Sequence, residues 1–160
     1  MRQPAKLSIT GILVFTLSIL SSVSNTAFAQ ETSAKAKDKI LFVVTSHDKL
    51  GNTGKSTGYY LSEVTHPWDV LHAAGYEIDF VSPKGGKAPV DDFDMSDPVN
   101  KKFWDNEYYR NKVHNTMKPS QVNPKEYKAV HYAGGHGTMW DFADNKQLAS
   151  IASKIYENNG

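Results

Sequence analysis

Residues 39–46, KILFVVTS, form an almost uninterrupted run of apolar and β-branched side chains. A strand with one wet face alternates apolar and polar residues, whereas a continuous run of this kind suits a strand buried on both faces. Such strands occur in parallel sheets whose two faces are covered by helices. The run therefore predicts an α/β fold built on a parallel sheet.

The rest of the chain alternates strand and helix patterns in the same way. Two further strands are predicted in YEIDFVSP, residues 76–83, and YKAVHYAGG, residues 127–135. A helix between the first two strands is expected to begin near Pro67 and to end at Gly75, which places Glu63 just before it. This order predicts an open sheet with right-handed crossovers.

A second helix is predicted over residues 144–160, with Gly160 as the glycine that follows its end. Its apolar side chains recur at helical spacing, at Leu148, Ile151, Ala152, Ile155 and Tyr156. Residues 84–124 are more polar and rich in glycine and proline, and we interpret them as an insertion. Asp97 and Pro98 are expected to start one or two short helices there.

The first 29 residues are predicted to be a secretory signal peptide. Arg2 and Lys6 precede an apolar run over residues 7–20, and Ala27-Phe28-Ala29 provides a cleavage site. A membrane anchor is the alternative, but the run is short for a span and contains several polar residues. We therefore expect an exported protein, periplasmic or secreted, with no membrane association after cleavage and a polar spacer over residues 30–38.

Charge and cysteine content narrow the function classes. Removing Arg2 and Lys6 with the signal takes the formal charge from +1 to −1, and no strongly basic patch indicates a nucleic-acid partner. The sequence contains no cysteine, so disulfides are excluded. The GKST tetrapeptide of residues 54–57 is not a phosphate-binding loop, because Lys49 stands where the first glycine of that motif is required.

Ligands of open α/β sheets bind beyond the carboxyl ends of the strands. Gly134 and Gly135 end the third strand there, and adjacent glycines can present main-chain N–H groups to an oxyanion. The alternative is a tight turn with no further role, in which His136 is an ordinary turn residue. Glu63 is either a solvated surface residue or, if partly buried in the crevice, a general acid/base.

No metal site and no cofactor are predicted. His66, Asp69 and His72 have spacings that suggest metal ligands. Positions i and i+6 of a helix, however, lie on different faces, about 120° apart around the axis, so the two histidines cannot share an ion through that helix.

Four segments together resemble the ThiJ/PfpI superfamily of class I glutamine amidotransferase-like domains. They are KILFVVTS, LSEVTHPWDVLHAAGYEIDFVSP, YAGGHGTMWDF and LASIASKIYENNG, which run in order from residue 39 to residue 160. The resemblance points in particular to the branch of glyoxalase III and heat-inducible chaperones. It implies a flavodoxin-like open parallel sheet with helices on both faces, and residues 39–160 as the N-terminal portion of that domain.

The resemblance also implies roles for individual residues. Family members carry a reactive cysteine, followed by a histidine, on a further strand that comes after the YENNG helix, and this sequence has no counterpart of that cysteine. Glu63 matches the family glutamate that hydrogen-bonds the cysteine sulfur and moves protons. Gly134 and Gly135 match the turn that faces the reacting carbonyl, with His136 beside it.

The function implied is a glutathione-independent glyoxalase that converts methylglyoxal, a small reactive aldehyde, to lactate, and that is a homodimer in its full-length form. We expect the 160-residue chain to be truncated and inactive on its own, because the thiolate is the nucleophile. A cysteine peptidase or an amidotransferase would need the same thiol.

A non-enzymatic alternative is an exported holdase-type chaperone for unfolded clients, or a small-ligand binder. Its adhesive surface would come from four aromatic residues of the insertion, Phe103, Trp104, Tyr108 and Tyr109, unless these pack onto the sheet. In either case the third strand is expected to have an unpaired edge, which predicts poor stability or aggregation unless a partner covers it.

Overall fold

The computed structural model describes residues 37–160. The signal peptide predicted for residues 1–29 and most of the spacer at 30–38 lie outside the described residues. The main sheet has three parallel strands, β1 (Lys39–Val43), β3 (Glu77–Val81) and β5 (Tyr127–Tyr132), in the order β3-β1-β5. A second, two-stranded parallel pair joins β2 (Tyr59–Tyr60) to β4 (Val90–Asp91).

Helices cover both faces of the main sheet. On one face lie α1 (Leu61–Ala73), α2 (Pro98–Asp105) and α3 (Glu107–His114), and on the other lies α5 (Lys146–Glu157). Two 3-10 turns, at Pro119–Gln121 and Pro124–Glu126, come directly before β5. A short helix, α4 (Thr138–Asp141), follows β5. The predicted α/β fold with a parallel sheet is confirmed.

Alternate residues of β1 serve two separate cores. Ile40 and Phe42 pack under α1, α2 and α3, whereas Leu41 and Val43 pack under α5. All four side chains are buried. A central strand with a helix layer on each side has no wet face, which is the physical reason for the continuous apolar run in the sequence.

The start of α1 was predicted wrongly. The helix begins at Leu61, so Pro67 lies inside it and Glu63 lies in its first turn instead of before it. The end was predicted correctly, because Gly75 follows the helix with φ +94°. At the end of α5 the left-handed residue is Asn159, with φ +64°, and not Gly160.

The insertion contributes to the core. Asp97 begins α2 as predicted, with its carboxylate accepting hydrogen bonds from the Val99 and Asn100 amides. Phe103 and Tyr109 are buried against Trp68 of α1. Phe103 and Tyr109 therefore cannot contribute to the adhesive aromatic surface considered for a chaperone. Of its four residues Tyr108 is the exposed one, and Trp104 is half-buried.

Within residues 37–160 no helix has both the length and the apolar character needed to cross a membrane. In the same part of the chain β3 and β5 are the edges of the main sheet.

Candidate active site

The site is built where β5 ends and α1 begins. The main chain of Tyr60 donates its N–H to the Gly134 carbonyl at 2.9 Å, which joins β2 to the end of β5. Helix α1 starts at the next residue, so its first turn lies against the turn after β5. The tertiary structure thus brings Glu63 and Gly134, 71 residues apart, into contact.

Glu63 is fixed to that turn by its carboxylate. Oε2 accepts a hydrogen bond from the Gly134 N–H at 2.6 Å. The carboxylate also lies in the first turn of α1, where the helix dipole favours negative charge. The Glu63 side chain is nevertheless exposed to solvent. The partial burial that we considered for an acid/base at this position is therefore not observed.

The two glycines of the turn are required for different reasons. A Cβ on Gly134 would lie 2.6 Å from Oε2 and 3.0 Å from Cδ of Glu63, so a side chain there would displace the carboxylate. Gly135 has φ +118°, and a Cβ there would collide with the backbone of Gly58 and lie 2.6 Å from the Tyr60 nitrogen. Position 135 therefore accepts only glycine, whereas the atoms nearest to a side chain at position 134 are those of the Glu63 carboxylate.

The main-chain donors of the turn are divided between two uses. The Gly134 N–H is occupied by Glu63, which corrects the expectation that both glycines present free donors. In residues 37–160 no hydrogen bond uses the N–H of Gly135 or of His136. These two amides remain as candidate donors to an oxyanion beside the Glu63 carboxylate.

His136 has a partner that the sequence did not indicate. Its Nδ1 lies 3.5 Å from Oδ2 of Asp91, at the end of β4, and the imidazole is otherwise exposed. Thr57 donates its hydroxyl to the same Asp91 oxygen at 3.1 Å and so orients the carboxylate. Asp91 lies in the predicted insertion and reaches the site because β4 pairs with β2.

Pro67 and His131 give Glu63 a second anchor. Proline has no N–H, so Pro67 leaves the carbonyl of Glu63 without the donor that an α-helix normally provides. His131 of β5 fills that position, with Nε2 at 2.9 Å from the Glu63 oxygen. A carbonyl only accepts hydrogen bonds, so Nε2 carries the proton. Glu63 is thereby held to β5 through its main chain and its side chain.

An open depression of about 430 Å³ lies against Glu63. It is lined by Tyr60, Ser62, Glu63, His66, Pro67 and His131. It has room for a small molecule beside Glu63.

The three residues with metal-like spacing have other partners. His66 contacts Asp97 at 2.8 Å, Asp69 contacts Lys102 at 2.5 Å, and His72 stacks on Trp68. The contacts with Asp97 and Lys102 tie α1 to the insertion, whereas the His72–Trp68 contact lies within α1.

The arrangement can hold a carbonyl compound between main-chain donors and a carboxylate. A carboxylate within reach of a reacting carbon can take up and return a proton, and free amides can stabilise a developing negative oxygen. None of the described side chains is a thiol.

A family model described as ThiJ/PfpI family-like matches residues 55–156, well over half of the chain. Among curated proteins, the chain is 34% identical over 134 residues to the glutathione-independent glyoxalase HSP31 of Saccharomyces cerevisiae, covering 78% of this chain and 55% of that protein. It is 31% identical over 128 residues to Glyoxalase 3 of Candida albicans, covering 76% and 54%. The chain thus spans about half the length of the curated relatives it matches.

The chain is also similar to proteins of known structure. Rapid Encystment Protein 24 kDa of Francisella tularensis is 42% identical, with a TM-score of 0.71, over 77% of this chain and 56% of that one. Glyoxalase III of Candida albicans is 30% identical, with a TM-score of 0.65, over 77% and 54%.

Proposed function

Because this chain belongs to the ThiJ/PfpI family, we propose that it forms the acid/base portion of a glutathione-independent glyoxalase that converts methylglyoxal to lactate. The chain is similar to proteins that carry this activity in their names. The observation that supports the proposal most directly is the contact of the Glu63 carboxylate with the Gly134 amide at 2.6 Å. This contact holds the Glu63 carboxylate against the turn that contains the Gly135 and His136 amides, which supports the proposed roles of these groups.

The proposed reaction moves one hydrogen between adjacent carbons. A thiolate adds to the aldehyde carbon of methylglyoxal, and the resulting oxyanion lies against the N–H groups of Gly135 and His136. Glu63 takes the proton from that carbon and returns it to the neighbouring carbon, which oxidises the first carbon to a thioester and reduces the ketone to an alcohol. Water then hydrolyses the thioester, which releases lactate and the thiol.

The 160 residues contain no thiol that could begin this sequence of steps. We therefore expect no lactate from the purified chain with methylglyoxal, and no difference between the natural chain and Glu63→Gln. Lactate formed by the natural chain above the Glu63→Gln variant would contradict the proposed need for a thiolate.

A chimera tests the role of Glu63 directly. This chain replaces the matched part of Candida albicans Glyoxalase 3, and lactate formation is measured with methylglyoxal and no glutathione. We expect activity in the chimera and a loss of at least about 100-fold in kcat with Glu63→Gln, because general acid–base groups contribute on that scale. Glu107→Gln, in the exposed first turn of α3, is the matched control and is expected to leave kcat unchanged.

Two results would contradict the proposal. One is a chimera with native circular dichroism and no lactate formation, and the other is a Glu63→Gln chimera as active as its parent. The circular dichroism spectrum separates either result from simple misfolding.

We also propose that the protein is exported, which rests on the signal-like pattern of residues 1–29. Mass spectrometry of the mature protein from the native cell envelope is expected to show a new N-terminus at Gln30. An intact Met1 or its simple removal would contradict export by this route.

A further inference from the structure

A second cavity, of about 470 Å³, lies between the loop after β1, the segment that leads into β4, and the ends of α2 and α3. Ser46 and Asp48 line it on one side and Trp104 and His114 on another. It shares no lining residue with the depression around Glu63. Nothing in the proposed glyoxalase reaction uses it.

One part of this cavity is apolar. Ala88 is buried and Pro89 is half-buried, and together they present an apolar surface. The Trp104 ring makes T-shaped contacts with Phe93, at 4.6 Å between ring centroids, and with His114, at 5.5 Å. An aromatic wall of this kind accepts a flat apolar group by stacking or edge contact.

The other part of the cavity is basic. Lys87 and His114 line it, and Arg110 lies one helical turn before His114 on α3. Within residues 37–160 none of the three forms an ion pair. Burial, together with the charges of Lys87 and Arg110, lowers the pKa of His114 below its usual value. Lys87 and Arg110 therefore bring two positive charges to this part of the cavity, against the single carboxylate that lines it, that of Asp48.

The remaining polar groups can orient a ligand. The Ser46 oxygen accepts a hydrogen bond from the Lys84 amide at 2.9 Å, which leaves its hydroxyl hydrogen available. Among the lining residues Asp48 is the one carboxylate, and its side chain accepts hydrogen bonds but repels a multiply charged anion. The combination favours a ligand with one negative charge over free phosphate.

We propose that this cavity binds a small organic monocarboxylate with an apolar or aromatic body. The carboxylate pairs with the Lys87 ammonium, because hydrogen bonds between charged groups are the strongest available there, and His114 can donate a ring N–H to the same carboxylate. The body of the ligand covers the Trp104 wall and the Ala88 and Pro89 surface. The cavity volume, the Trp104 ring and the excess of positive over negative charge lead to this class of ligand independently of the glyoxalase proposal.

Benzoate is the probe, and the indole N–H signals in a ¹⁵N-labelled sample of the 160-residue chain are the readout. We expect benzoate to shift the Trp104 signal saturably, with little effect on those of Trp68 and Trp140. Benzyl alcohol has the ring without the charge, and inorganic phosphate has the charge without the ring. Each is expected to bind at least about 10-fold more weakly than benzoate.

Two variants separate specific pairing from general charge. Lys87 is exposed, so Lys87→Gln is expected to fold normally and to weaken benzoate binding about 10-fold. Lys101→Gln removes the same charge from the exposed surface of α2 and is expected to leave binding unchanged.

The proposal is overturned by any of three results. These are no saturable shift of Trp104 with benzoate, equal binding of benzyl alcohol or phosphate, and equal loss of affinity in the two lysine variants. Lactate formation is not measured, so failure here leaves the glyoxalase proposal untouched.

Discussion

Replacing Gly134 with alanine tests the contact on which the candidate site is built. The backbone at this position does not lie in the left-handed region, so alanine is compatible with it. The three atoms nearest to the added Cβ all belong to the Glu63 carboxylate, at 2.6 to 3.0 Å. The substitution is therefore expected to move one side chain and nothing else.

The magnitude follows from two opposing contributions. A hydrogen bond to a charged group contributes about 1.5–3 kcal/mol when it is buried, and the exposure of Glu63 reduces this to about 1–1.5 kcal/mol. Alanine in place of glycine restricts the unfolded chain and stabilises the folded state by about 0.5 kcal/mol where the backbone permits it. We expect a net loss in the free energy of unfolding of about 0.5–1 kcal/mol.

Whether Gly134→Ala stabilises or destabilises the protein depends on whether Glu63 is present. In a Glu63→Ala chain the three atoms nearest to the added Cβ are gone, so Gly134→Ala is expected to stabilise the folded state by about 0.5 kcal/mol. The resulting coupling energy between the two positions is about 1–1.5 kcal/mol. Gly135→Ala is the control, because its strain is in the backbone, and it is expected to cost about 3 kcal/mol or more in either background.

Urea unfolding followed by circular dichroism supplies the free energies of the four chains in the cycle. A downfield-shifted Gly134 amide proton that moves upfield in Glu63→Ala would report the same hydrogen bond. Equal costs of Gly134→Ala in both backgrounds would refute the reasoning, since they would show that Glu63 does not occupy the position described.

Three further substitutions probe the fold. Lys112 forms ion pairs with Glu77 and Asp79. Burial alone would raise the pKa of both carboxyls, but the hydrogen bonds and the charge of Lys112 outweigh burial and lower both pKa values. Lys112→Met is therefore expected to lower the free energy of unfolding by about 2 kcal/mol at pH 7, and the difference should shrink as pH falls below about 4, where the carboxyls become protonated; a difference independent of pH would contradict this. The Tyr59 hydroxyl is buried without a partner in the described residues, so Tyr59→Phe is expected to be neutral or to raise the unfolding midpoint in urea, and a clear loss would reveal a missed hydrogen bond. Asp97→Ala removes the cap of α2 and is expected to lower the unfolding midpoint in the same titration, whereas Asp97→Asn should keep the midpoint close to that of the natural chain.

The pattern of apolar residues in the local sequence was sufficient to predict β1 and α5. The apolar run of β1 and the helical spacing in α5 predicted a central strand and an amphipathic helix, because burial on two faces or on one leaves a period in the sequence. Glu63 and the double glycine were predicted to meet at one edge of the sheet through the family resemblance and the rule for strand ends. Their hydrogen bond is present, while the catalytic role of Glu63 stays a prediction.

The start of α1 could not be found from its own residues. Pro67 usually marks a first turn, since proline cannot donate to a preceding carbonyl. Here His131 of β5, which lies 64 positions after Pro67, donates a hydrogen bond to the Glu63 carbonyl instead. The helix therefore continues through the proline.

Sequence alone determined the order of the three main strands and the helices α1 and α5, and the family, because these follow from periodicity and motif. Only the tertiary structure decided that the Gly134 amide is already bonded, that Asp91 lies beside His136, and that Phe103 and Tyr109 are core residues. Each of these depends on which distant segments pack together, and a hydrogen bond or a buried contact between such segments leaves no period in the local sequence.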